Sequence, residues 1–135
     1  MTKLDKILHV EDDTVIQMIS LVCLEKLGGF TVAQACTGKE ALETAKGFMP
    51  DLLLLDVMMP EMNGPELLLE LRKLKETAQT PVIFMTAKAQ AHEVQQLRDL
   101  GALDVITKPF DPITLADNIR AIWSTRLTSA PMFKE

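Results

Sequence analysis

Apolar and polar residues run along this chain in short blocks whose period keeps changing. A compact apolar run at 6–10 (KILHV) ends on three acids, Glu11, Asp12 and Asp13. Val15, Met18, Ile19, Val22 and Leu27 then recur at roughly helical spacing. That predicts a helix starting at Thr14, its expected N-cap, and stopping at Gly28-Gly29. Further apolar runs at 30–35 (FTVAQA), 51–55 (DLLLL), 80–86 (TPVIFMT) and 103–107 (LDVIT) predict four more strands. The intervening and following segments 38–48, 64–76, 91–101 and 111–127 read as helices. Pro65 falls in a first turn, where its missing N–H had no helical partner to lose, and Gly101 supplies a stop. Asp111 and Pro112 read as the N-cap and first residue of the last helix.

Strand and helix alternate five times, which implies parallel strands joined by helical crossovers on both faces of one sheet. This accounts for the unbroken leucines: a central parallel strand is covered on both sides and need not alternate. The length of 135 residues suits one domain. We expect that domain to span 1–127, with 128–135 (TSAPMFKE) as a loose tail. A 47% hydrophobic share fits a folded core, and a net charge of −5 argues against direct nucleic-acid binding. No window is apolar enough to span a bilayer, and the N-terminus lacks a signal peptide's apolar region, so a cytoplasmic location away from membranes is expected. Cys23 and Cys36 have no metal-ligand spacing and read as two small buried hydrophobes. His9, inside the first strand, reads as a core residue, and Trp123 as packing the last helix onto the sheet. Met58, Met59 and Met62 read as loop and core filler or as an adaptable contact surface.

Ligands of open parallel sheets bind outside the carboxyl ends of the strands. At those ends stand Glu11, Asp12 and Asp13 after the first strand, Asp56 after the third, Thr86 after the fourth and Lys108-Pro109 after the fifth. The first and third strands are expected neighbours, so their carboxylates converge. Clustered carboxylates repel unless a cation intervenes, and hard oxygen ligands favour Mg²⁺ or Mn²⁺. A lysine and a hydroxyl beside them could hold an anion, and an aspartate can itself become an acyl phosphate. Taken singly, Asp56 could cap a turn, Thr86 could be an N-cap, the acids could be a solvated strand end and Lys108 a surface lysine. The combination favours phosphoryl chemistry.

In order and spacing, the motifs VEDD, LLLLDVMMPEMNG, VIFMTA and DVITKPF resemble those of response-regulator receiver domains of two-component signalling, over nearly all of 4–127. The resemblance implies a flavodoxin-like, doubly wound five-stranded parallel sheet in the order 2-1-3-4-5, with five helices in three layers. It implies Asp56 as phosphoacceptor, and Mg²⁺ (or Mn²⁺) held by Asp12, Asp56 and the Met58 carbonyl, with Glu11 acting through water. Asp13 is one residue late for that set. The resemblance further implies Thr86 and Lys108 as phosphoryl-binding groups, a cis bond before Pro109, and a sensor histidine kinase or histidine phosphotransfer protein as donor. The output face would be helix 91–101, strand 103–107 and helix 111–127, contacting a partner or a second copy of the chain. The domain would hydrolyse its own acyl phosphate slowly, since Met58 and Lys88, flanking the water's approach, are neither acid nor amide. Such a protein is a switch rather than a turnover enzyme. The sequence departs from the family at Val105, where an aromatic switch residue is usual, so the switch either relies on Thr86 and the loop after it or is weak. Gln17 replaces a frequent arginine. The chief rival is an aspartyl-nucleophile phosphatase of haloacid dehalogenase type, whose nucleophile follows the first strand. A vestigial interaction module and a flavodoxin-like electron carrier fit less well.

Overall fold

The five apolar runs pair as one parallel sheet in the order β2-β1-β3-β4-β5. The strands are β1 (Lys6–Val10), β2 (Thr31–Ala35), β3 (Leu52–Asp56), β4 (Val82–Thr86) and β5 (Asp104–Thr107). The computed structural model describes residues 3–129, side chains of 127–129 excepted. Helices α1 (Thr14–Leu21), α2 (Gly38–Phe48), α3 (Gly64–Arg72), α4 (Ala91–Asp99) and α5 (Leu115–Ser129) make the crossovers and the closing layer.

β3 and β4 are buried at every position, as their unbroken apolar runs require, whereas β2 and β5 at the sheet edges are partly open. Successive residues still point to opposite faces. Leu52 and Leu54 join Ile7, Ile83, Met85, Ile119 and Trp123 on one side. Leu53 and Leu55 join Leu8, Phe84, Ala41, Ala45, Leu67 and Leu71 on the other. Each fully buried leucine contributes about 1.5–3 kcal/mol relative to exposure. His9 is fully buried, and Trp123 packs the last helix as the sequence implies.

Several local expectations are corrected. The cap of α1 is Asp13, not Thr14: its carboxylate accepts from both Val15 N and Ile16 N, at 2.9 and 3.1 Å. A charged acceptor at a helix N-terminus also meets the favourable end of the helix dipole. After Leu21 the chain widens into a π-helical turn, Val22–Leu27, and the stop uses Gly29 at φ +75°. Helix α3 ends at Arg72 instead of continuing to residue 76, because the Arg72 guanidinium turns back to donate to the Thr77 and Thr80 carbonyls. Asp111 caps a turn rather than α5 itself, accepting from Ile113 N, and the helix proper starts at Leu115. That helix runs to Ser129, and the rest of the expected tail lies outside the described residues. Cys36 is exposed, not buried, because it follows the last residue of β2 and its N–H donates to Glu40.

One backbone approach locks the end of β3. A Cβ placed on Gly64 would lie 2.6 Å from the Asp56 carbonyl oxygen and 3.1 Å from Val57 Cα, both backbone atoms. We predict that Gly64→Ala lowers the urea-unfolding free energy by about 1–3 kcal/mol. Gly47→Ala, inside α2 with open space around it, should raise it by about 0.4–1 kcal/mol. Equal effects of the two variants would contradict this reading of Gly64.

Candidate functional site

The parallel register brings four strand ends together. Val10 pairs with Leu55, Asp56 with Met85, and Thr86 with Thr107. One step beyond Val10 and Thr107 stand Glu11 and Lys108, so Glu11, Asp56, Thr86 and Lys108 line one edge of the sheet. Carboxylate oxygens of Glu11, Asp12 and Asp56 all lie within 4.8 Å of one another. Glu11 and Asp56 are 1% and 2% exposed; Asp12 is the more open of the three. The Asp13 carboxylate is taken up by the start of α1, while its N–H donates to Glu11 Oε2 at 3.1 Å.

Lys108 reaches into the cluster. Its Nζ donates to Glu11 Oε1 at 3.0 Å and lies 3.1 Å from Asp56 Oδ1. The second contact is an ion pair off hydrogen-bond geometry, so Asp56 Oδ1 is buried with no hydrogen-bond partner. The pairing of Lys108 with Asp56 that the sequence implied is present, and Glu11 shares the same ammonium. Burial, reinforced by the negative charge of Asp56, pushes Glu11 up to about 7, although the Asp13 N–H and Lys108 pull it back. Burial works against the charge on Lys108, but the two carboxylates outweigh it and raise its pKa. The Lys108-Pro109 peptide is cis.

Thr86 is 3% exposed, and its hydroxyl accepts from Lys88 N at 3.0 Å. It therefore still has a proton to donate toward the cluster. It does not cap α4, which begins after Gln90, nor does Asp56 cap α3. That cap is Asn63, whose side chain accepts from Glu66 N while Glu66 accepts from Asn63 N. The Asn63-x-x-Glu66 pattern was a readable capping box. Met58 follows the strand with its side chain largely in solvent. Met59 and Met62 pack partly into the core. Val105 is half-buried, paired with Phe84 across the sheet and packed against the core cluster that includes Leu97. His9 is held by Gln34, which also donates to the Gln17 carbonyl; burial, and then the charge of Lys108, lower its pKa to about 4.

Three close carboxylates with an unpartnered buried oxygen form a donor set that fits a small, hard divalent cation. An ammonium 3.1 Å from Asp56 Oδ1, with a hydroxyl at the end of the neighbouring strand, is a setting that can also hold an anion.

The chain matches the family model of the response regulator receiver domain over residues 7–120. It is 38% identical over 116 residues to the transcriptional regulatory protein CseB of Streptomyces coelicolor, a match covering 86% of this chain and 48% of that one. It is 41% identical over 119 residues to CpxR of Escherichia coli, covering 88% and 49% respectively. The chain thus spans about half the length of these relatives. Among solved structures, the chemotaxis protein CheY4 of Vibrio cholerae superposes with a TM-score of 0.81 at 29% identity, over 89% of this chain and 99% of that one. No helix among the described residues is long and apolar enough to cross a membrane.

Two of the shifted groups, Glu11 and His9, give opposite pH slopes. Glu11 rises from 4.5 to about 7 on folding. Between those values the folded state holds the extra proton, and stability falls as pH rises. His9 drops from 6.5 to about 4; there the unfolded state holds the extra proton, and stability rises with pH. Above 6.5 the His9 contribution fades as the unfolded imidazole loses its proton, and the Glu11 slope outweighs it. With a chelator present, the urea-unfolding free energy should fall from pH 6.5 to just above 7, and Glu11→Gln should abolish that fall, leaving the slight rise that His9 contributes. An unchanged slope in the variant would show that Glu11 is not its source.

Proposed function

Because this chain belongs to the response regulator receiver domain family, matched across residues 7–120, we propose that it is a phosphorylation-controlled switch with Asp56 as its phosphoacceptor. The observation that carries this reading is the buried Asp56 Oδ1, free of hydrogen bonds and 3.1 Å from the Lys108 ammonium. A sensor histidine kinase or a histidine phosphotransfer protein supplies the phosphoryl group from phosphohistidine. An Asp56 oxygen attacks phosphorus in line, the new O–P bond replaces the P–N bond, and the electron pair leaves on the donor imidazole nitrogen, which takes up a proton. Lys108 and the Thr86 hydroxyl hold the phosphoryl oxygens. Asp12, Asp56 and the Met58 carbonyl would hold Mg²⁺ directly, and Glu11 through water. Bound there, Mg²⁺ would supply charge neutralisation for the phosphoryl group in transit.

Phosphorylation biases a two-state equilibrium in the face made by α4, β5 and α5, which then binds a protein partner or a second copy of the chain. Thr86 is the moving group, and Val105 takes the position of the usual aromatic partner. The net charge of −5 favours protein contacts over direct nucleic-acid contact. The domain acts in the cytoplasm, over residues 1–127. Self-hydrolysis is slow, because neither Met58 nor Lys88 can orient a water by accepting its proton.

Acetyl phosphate with Mg²⁺ should add one phosphoryl mass to the wild type, and none to Asp56→Ala or in the presence of a chelator. The added mass should persist well beyond seconds. Equal gain in the variant removes Asp56 from its role; loss within seconds contradicts the slow hydrolysis.

A further inference from the structure

The switch must reach α4 without an aromatic at position 105. Val105 pairs with Phe84 across the sheet and packs against the core cluster on that face. Its short, branched side chain has one stiff torsion and no arm to swing. An arm of the right kind stands elsewhere. Beside the carboxylates lies an apolar cavity of about 330 Å³, lined by Pro65 of α3, Thr86 at the end of β4, Lys88 of the β4–α4 connection, Leu97 of α4 and Leu100 just after it. Met58 lines it as well, while keeping 64% of its surface in solvent, so it stands at the mouth. Methionine is apolar, unbranched and adaptable, the side chain best suited to filling an irregular space.

A tether joins the cavity to the phosphoryl site. The Thr86 hydroxyl accepts from Lys88 N at 3.0 Å, and its own proton is free to donate. A shift of this hydroxyl toward a phosphoryl group on Asp56 pulls the Lys88 backbone after it, and with it the rim of the cavity. We propose that Met58 replaces the absent aromatic: phosphorylation draws the β4–α4 segment inward, and the cavity closes over the Met58 side chain, fixing α4 against the β3–α3 connection. Met58 then acts through its thioether at α4, beside the carbonyl that would help hold a metal. The inference rests on Asp56 being the phosphoacceptor. It adds the route by which that event is felt at the output face.

The test uses carbon-13 methyl-labelled methionine in the full chain, with beryllofluoride and Mg²⁺ as the phosphoryl mimic and a soluble paramagnetic probe. Resonances of Thr86 and Lys108 report whether the anion is bound. The Met58 methyl should lose most of its probe-induced broadening when it is. The Met18 methyl, on α1 and 69% exposed, should keep its own. In Met58→Ala, at saturating anion, the amide shifts of Glu93 to Leu100 should largely disappear, and Met58→Leu should restore them. An anion-bound protein whose Met58 methyl stays as exposed as before overturns the inference alone. Failure of the wild type to bind the anion, or to gain a phosphoryl group from acetyl phosphate, overturns the phosphoacceptor reading and this inference with it.

Discussion

The Lys108 ammonium, 3.0 Å from Glu11 and 3.1 Å from Asp56, is the contact on which the rest of the site depends. Two carboxylates almost out of solvent cannot both stay charged unless a cation lies between them, because desolvation and mutual repulsion act in the same direction. One lysine serves both, and it serves them unequally. Glu11 receives the hydrogen bond, whereas Asp56 Oδ1 receives only the charge. The group that chemistry would modify is thus held close to a cation without being saturated by it.

The fold builds this arrangement because a parallel sheet covered on both faces leaves only its strand ends for polar groups. The order β2-β1-β3-β4-β5 places β3 beside β1 and β4 beside β5, so Glu11 and Lys108, 97 positions apart in sequence, meet over Asp56. Backbone geometry fixes the frame. The close approach of Gly64 to the Asp56 carbonyl and the Asn63–Glu66 capping box set the path out of β3. The haloacid dehalogenase reading weakens on the same ground. Its nucleophile belongs after the first strand, and here the residue after that strand is Glu11, which is bound to the lysine.

Much of this was legible in the sequence. Unbroken leucines before Asp56 announced a doubly covered strand, and acids, hydroxyl and lysine at successive strand ends announced the site. What the sequence could not give was competition between near neighbours. Asp13 takes the cap expected of Thr14 because its carboxylate reaches two backbone N–H groups. Arg72 ends α3 early because its guanidinium finds two carbonyls nearby, and no periodicity encodes that. Cys36 is exposed because it falls one residue past β2. The division of Lys108 between two acids, and the cavity at Met58, depend on distances that only the assembled sheet defines.

The central claim is that Asp56 carries the phosphoryl group. Borohydride reduces an aspartyl phosphate, but not a free carboxylate, to homoserine. After exposure to acetyl phosphate and Mg²⁺, reduction and peptide mapping should find homoserine at position 56, with Asp12 and Asp13 intact. Homoserine at Asp12 or Asp13 instead, or at no position in a protein that has gained phosphoryl mass, would contradict the account.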